Sequence, residues 1–257
     1  MRIVVCVKAV PGHIIKPRVP ESQDRVEYEA GSLIMNEYDE YALEEALALK
    51  KEFGGEVSVI TSGPVSCQQV LYIGLAKGAD TAIRVDADFA DSERTARVLT
   101  EAIRQIGYDL ILTGVESSDN MAAQVGIFVA ERLGMPFAYA VTKVEAGQSP
   151  ETIIVTKECG GGVHQVLEFS LPTLLCVQSG TTSPSYTAVR RLLQARSKPI
   201  QLLTINNLGL KDEFLKFSPL RIVDVFSPQK TSNAEIIEGK PQEVAPLVLK
   251  KLKEALK

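Results

Sequence analysis

Branched aliphatic residues come in short, closed runs along the first half of the chain, and stretches with helical spacing separate them. Ile3–Val7, Val57–Thr61, Ala82–Val85 and Leu110–Thr113 are compact and apolar, as strands covered on both faces should be. Between them, Asp39–Phe53 sets Ala42, Ala46, Leu49 and Phe53 on one stripe, with Leu43 and Leu47 beside it. Glu44, Glu45, Lys50 and Lys51 fall off that stripe, the pattern of a helix laid on a sheet. Gly54-Gly55 ends it. Ser66–Ala76, Asp91–Ile106 and Asp119–Leu133 predict further helices, with Asp91 and Asp119 as N-caps. Strands alternating with helices of this length predict an α/β fold with a doubly wound parallel sheet.

Beyond residue 150 the pattern changes. Thr152–Lys157 and Val163–Ser170 flank Gly160-Gly161-Gly162 and predict an antiparallel hairpin. Pro172 then leads into another buried strand, Thr173–Val177. A polar stretch over 179–185 precedes a basic helix, Thr187–Ala195. From about residue 206 the apolar patches are isolated (Leu220–Phe226), a Ser-Pro-Gln-Lys turn follows at 227–230, and a last helix spans Pro241–Leu256. We expect an α/β body over 1–205 and an arm over 206–257 that clasps its own body or a partner.

Composition removes several classes of function. The 257 residues hold 28 Lys+Arg and 32 Asp+Glu, a net charge of −4, and 45% are hydrophobic, which is ordinary for a globular protein. No run approaches the roughly 20 apolar residues of a membrane span. The acidic balance lacks the basic footprint of nucleic-acid binding. Four cysteines without a CxxC and two histidines without an acidic helix motif argue against zinc or iron–sulfur sites. Cys6 and Cys176 sit in apolar runs, where buried, inert thiols are the rule. The segment Met1–Lys8 lacks the features of a signal peptide, reads as a strand, and points to a cytoplasmic protein.

In an open parallel sheet, ligands sit outside the carboxyl ends of the strands. Three loops qualify: Lys8-Ala9-Val10-Pro11-Gly12, Thr61-Ser62-Gly63-Pro64, and Gly114 to Asn120. The last combines backbone amides, the hydroxyls of Ser117 and Ser118, and a following helix, the ingredients of a phosphate-binding turn. It reads equally as an ordinary βα loop with Asp119 as a cap. The carboxylates of Glu116 and Asp119 would have to turn aside for a phosphate to bind. Thr61–Pro64 reads first as a plain turn, and Asn36 as a helix cap. No GxSxG, Walker loop or GxGxxG occurs, and His13 and His164 read as solvated or packing residues. Nucleotide-binding features without a catalytic residue suit the carrier of a redox cofactor.

At these loops the chain resembles the beta subunit of electron-transfer flavoproteins, over nearly its whole length. The resemblance is carried by Val4–Lys8, by Met35-Asn36-Glu37-Tyr38-Asp39 and the helix it opens, by Ser62-Gly63-Pro64, and by Gly74–Asp80. Its most specific part runs from Val155 through Lys157, Gly161, Gly162, Gln165, Leu167 and Pro172 to Cys176, departing from the family signature only at Gly160, where an acid is expected. The resemblance implies a doubly wound, Rossmann-like nucleotide-binding body and a C-terminal arm around an alpha subunit. By position it implies cofactor contacts at Cys6, Asn36 to Asp39, Ser62 and the segment Gly114-Val115-Glu116-Ser117-Ser118-Asp119-Asn120-Met121-Ala122-Ala123-Gln124-Val125. Val7, Lys8, Ala9, Thr61 and Gly63 flank those positions and join the candidate site.

The respiratory branch of the family, which binds AMP here, usually carries a Gln-Ala-Ile-Asp run and an Asn-Gln-Thr-Gly ending. This chain has neither; its Ala123-Gln124-Val125-Gly126 is similar to the anaerobic and nitrogen-fixation branch, which binds FAD instead. That similarity implies NADH as electron donor, ferredoxin or flavodoxin as one acceptor and an FAD on the alpha subunit as the other. Tyr186, Val189, Arg190, Arg191 and Leu192 resemble the segment that docks onto an acyl-CoA dehydrogenase-type partner, with Val189 as apolar anchor. A stand-alone ATP-binding module would carry an SGGxDS loop or a late Gly-rich run, and neither occurs. A structural subunit with an empty cleft is a further alternative.

Overall fold

The computed structural model describes residues 1–12, 17–23, 25–28, 33–89, 91–178, 183–210, 222–228 and 234–256. The elements in chain order are β1 (Arg2–Cys6), β2 (Ala9–Pro11), β3 (Leu33–Met35), α1 (Glu37–Phe53), β4 (Glu56–Ser62), α2 (Gln68–Lys77) and β5 (Thr81–Asp86). Then come α3 (Ser92–Ile106), β6 (Leu110–Gly114), α4 (Val125–Leu133), β7 (Phe137–Ala146), β8 (Thr152–Cys159) and β9 (Val163–Ser170). The last are β10 (Thr173–Val177), α5 (Val189–Ala195), β11 (Gln201–Thr204) and α6 (Pro241–Ala255).

Nine strands form one sheet in the order β11-β5-β4-β1-β6-β10-β7-β8-β9. All pairings from β11 to β7 are parallel, and β8 and β9 extend the sheet as an antiparallel hairpin. Strand β1 is central: the chain steps from it to β4 and β5 on one side and then crosses to β6 on the other. That reversal leaves a crevice at the carboxyl ends of β1 and β6. Alternation along β1 sends Ile3, Val5 and Val7 into a core with residues of α1 and α2, and Val4 and Cys6 into a second core with residues of α3 and α4. The sheet is covered on both faces, as the closed aliphatic runs require.

The expected α/β body is present, with differences in detail. Helix α4 begins at Val125, not at 119, because Met121 and Ala123 have φ of 48° and 54°, and a right-handed helix cannot run through left-handed residues. Asp119 therefore caps nothing. Asp91 does cap α3, its Oδ1 accepting from the Arg94 amide at 2.8 Å. Glu44 and Glu45 lie off the apolar stripe of α1 yet are buried. Strands β2, β3, β7 and β11 were absent from the sequence reading: two have three residues, β11 has four, and β7 has no clean alternation of buried and exposed positions. The body's packing continues to Leu208, which is buried with β5 and α3 residues. In α6 no residue is buried.

Candidate functional site

The carboxyl ends of β1, β4, β5 and β6 and the loops after them enclose a cleft of about 920 Å³, mouth included. Its floor is apolar, with Val7, Ile60, Leu99 and Val115; polar groups from Lys8, Asn36, Thr61, Ser62, Ser92, Thr95, Thr113, Ser117 and Asn120 converge on it.

Three side chains stitch the rim together. Asp39, in the first turn of α1, accepts from the Lys8 amide through Oδ2 at 2.7 Å and from the Gly114 amide through Oδ1 at 3.0 Å. It thereby joins the ends of β1 and β6 across the crevice. Burial pushes its carboxyl up to about 7, against the opposing effect of those amides. Asn36 sits at the N-cap position of α1 but makes no capping bond. Its amide instead donates to the Glu116 carbonyl at 2.8 Å, and its carbonyl accepts from the Ser118 amide at 3.1 Å. Lys8 Nζ donates to Ser117 Oγ at 3.1 Å and to Asp119 Oδ1 at 2.7 Å.

These contacts decide what the loop after β6 presents. The Asp119 carboxylate is paired with Lys8 and does not line the cleft, but Glu116, the other acid of the loop, does line it, together with Asp39, Asp88 and Asp91. Helix α4 opens onto the cleft without a side-chain cap and with no acid in its first turn, so its leading amides are available to an anion. Beside them Thr113 Oγ1 is buried next to the Cys176 thiol. Gly126 allows the approach of helix to sheet: a Cβ there would come within 2.6 Å of Thr113 Oγ1 and 2.8 Å of Cys176 Sγ. Cys6 lines the floor, and burial raises its thiol far above the ordinary range; Cys176 is raised to about 11 for the same reason. Both are poor nucleophiles in this state.

Of the candidate residues, Cys6, Val7, Lys8, Asn36, Asp39, Thr61, Ser62, Gly114–Ser117, Asn120 and Ala122–Val125 line the cleft. Ala9, Glu37, Tyr38, Gly63, Ser118, Asp119 and Met121 do not. Asn36 as a cap and Asp119 as a cap are both corrected: each bonds a neighbouring loop or side chain instead. The cleft is also lined by Asp88, Phe89 and Asp91 of the loop after β5 and by Ser92 and Thr95 of the first turns of α3, which the loop patterns do not single out. The signal was present, since every parallel strand delivers its next loop to the same edge. His164 is exposed on β9, while His13 lies outside the described residues. Among the described residues no His/Cys/Asp/Glu cluster could hold a metal, and no helix is long and apolar enough to cross a membrane.

The candidate docking residues lie apart from the cleft, on and before α5. Tyr186 is 87% exposed and Val189 63%, with Arg190 and Arg191 beside them. Leu192 turns inward, against the core that includes α2 residues.

Fold and cleft define a class: a doubly wound α/β protein with its ligand crevice at the switch point and no catalytic side chain evident in it. Sequence comparisons narrow this. An electron transfer flavoprotein domain matches residues 26–208. The electron transfer flavoprotein subunit beta of Methylophilus methylotrophus is 32% identical over 99% of this chain and 98% of the relative. The subunit of the same name from Clostridium acetobutylicum is 33% identical, covering 99% and 98%. Protein FixA of Azotobacter vinelandii is 35% identical, covering 98% and 94%. The chain belongs to the electron transfer flavoprotein beta-subunit family. Membership implies an electron-transfer role and an alpha-subunit partner.

Proposed function

We propose that this beta subunit holds an adenine-containing cofactor in the crevice between β1 and β6, and that the cofactor is FAD. The observation that carries the reading is the uncapped start of α4, with no acid in its first turn, opening on a cleft from which Asp119 is withdrawn. This donor set suits a phosphate group. The amides over Ala122–Gly126 would hold it, Asn36 keeps the 116–118 loop in place, and Lys8 neutralises Asp119. Bound FAD supplies one- and two-electron transfer, while protein groups orient it and set its electrostatic surroundings.

The ending Ala123-Gln124-Val125-Gly126 favours FAD over AMP, and with it a bifurcating role. NADH would be the donor, ferredoxin or flavodoxin one acceptor, and the alpha subunit's FAD the route to an acyl-CoA dehydrogenase-type partner. The docking segment is Tyr186–Leu192, and the arm from about residue 206 packs on the alpha subunit. Exposed Val223, Phe226 and Ile236 support the arm, along with an α6 that buries none of its residues. Four thiols without a disulfide suit a reducing compartment, the cytoplasm.

Co-purification with the alpha subunit and a count of nucleotides tests this. Two FAD per heterodimer are expected. One FAD and one AMP would replace FAD by AMP in the beta site, and two FAD without ferredoxin-dependent NADH oxidation would remove bifurcation.

A further inference from the structure

Glu44 of α1 and Lys77, the last residue of α2, form an ion pair at 2.7 Å with their side chains only 10% and 2% exposed. The pair lies away from the cleft, and neither residue lines it. Among the described residues its other hydrogen bonds go to Ser185. Glu44 Oε1 accepts from the Ser185 amide at 2.8 Å and from Ser185 Oγ at 2.7 Å, and Lys77 Nζ donates to the Ser185 carbonyl at 2.7 Å. Amide, carbonyl and hydroxyl of Ser185 are thus all held by two buried charges from two different helices.

Burying an ion pair gains little stability over apolar residues of the same shape; its best-attested use is to fix one geometry among several. Here the geometry fixed is that of the stretch leading into α5. Tyr186, next after the anchor, is exposed, and Val189, Arg190 and Arg191 are exposed as well. The segment is tied down again at Leu192 and Ala195, which pack on the core that includes α2 residues. Glu44 stays charged: burial would raise its carboxyl, but the bonds from Lys77 and Ser185 outweigh that and lower it.

We propose that the Glu44–Lys77 pair is a positioning device for partner docking, clamping Ser185 so that Tyr186–Arg191 spans two fixed points in the posture that meets the partner dehydrogenase. Preorganising the segment in this way removes the ordering cost that a loose loop would incur at each encounter. The proposal rests on the reading of Tyr186–Leu192 as the docking segment.

The test uses the heterodimer and the acyl-CoA dehydrogenase that reduces the wild-type complex fastest. Removing one charge alone would strand the other, so the variant is Glu44→Leu with Lys77→Met, which removes both charges and the acceptor for Ser185. Expected are unchanged flavin content and kcat, a kcat/KM for the dehydrogenase lowered at least fivefold, and faster amide exchange confined to 185–191. Ser185→Ala, which keeps the ion pair and loses one bond, should show a smaller effect of the same kind. An unchanged kcat/KM and unchanged exchange in the double variant overturn the proposal. Val189→Asp separates the two levels: if it lowers kcat/KM while the double variant does not, the clamp is wrong and the docking reading stands. If Val189→Asp has no effect, both fall.

Discussion

The Asp39 carboxylate occupies the space that a side chain at position 114 would need. Its Oδ1 accepts the Gly114 amide at 3.0 Å, and a Cβ on Gly114 would come within 2.4 Å of the same oxygen and 2.7 Å of Tyr38 Cβ. The bond that closes the crevice between β1 and β6 thus exists only because position 114 has no side chain.

Gly114→Ala should therefore push α1 away from β6 and break that bond. Overpacking of this kind costs about 2 kcal/mol, a fall of roughly 4–8 °C in Tm for a domain of this size. Thermal unfolding of the heterodimer measures it, and an unaltered Tm would show that the helix start yields without strain.

Asp39 also predicts a pH dependence. Its folded carboxyl lies at about 7 against an ordinary 3.8, so between those values the folded protein binds a proton that the unfolded chain does not. Stability contributed by this group is full below about 4 and declines as pH rises through 7. The difference in unfolding free energy between wild type and Asp39→Asn should narrow from pH 4 to pH 8. A difference that widens over that interval would mean the amides of Lys8 and Gly114 win over burial.

Asn36→Ala removes the tether between α1 and the loop after β6. The Glu116 carbonyl and Ser118 amide lose their partner, at a cost of about 1–3 kcal/mol. Faster amide exchange at Ser118 and loss of bound nucleotide on gel filtration are the expected results; full retention would assign the loop's shape to other contacts.

Lys8→Met should separate stability from binding. The lysine side chain is 44% exposed, and such pairs contribute at most about 1 kcal/mol. Asp119 would nonetheless regain an unbalanced charge beside the loop, so nucleotide affinity should drop about tenfold and recover partly in high salt, where exposed charges are screened. Titration at two ionic strengths decides the point.

Arg190→Gln with Arg191→Gln should slow association with the partner dehydrogenase and flatten its dependence on ionic strength, leaving kcat unchanged. Exposed rim charges act on encounter rates more than on the bound state. Stopped-flow mixing across a salt series reads this directly, and a salt dependence equal to that of wild type would remove the arginines from the docking face.

What the sequence made legible follows from what kind of force fixed each element. Strands such as Val57–Thr61 and the hairpin around Gly160–Gly162 are set by their own composition, so periodicity and turn chemistry found them. The start of α4 was not legible, because Met121 and Ala123 are left-handed in a loop tied to Asn36 and Lys8, more than a hundred positions away for Lys8 and eighty for Asn36. Asn36 itself had the composition of a cap and does a different task. Glu44 shows the same limit: its charge assigned it to solvent, and a lysine from another helix together with Ser185 keeps it inside. Local rules locate the loops of the cleft; the bonds between loops, which set its shape, are long-range.

The exposed apolar residues of α6 and β9 have a consequence for the life of the protein in the cell. Leu247, Leu249 and Leu252 on α6 and Val163 and Val166 on the edge strand β9 are all more than half exposed. Made in excess of its alpha subunit, the chain would display unsatisfied apolar surface and an open sheet edge, the features that chaperones and proteases recognise and that promote edge-to-edge aggregation. Subunit balance would then be enforced by turnover. Pulse-chase half-lives of the chain expressed alone should be markedly shorter than those of the co-expressed pair.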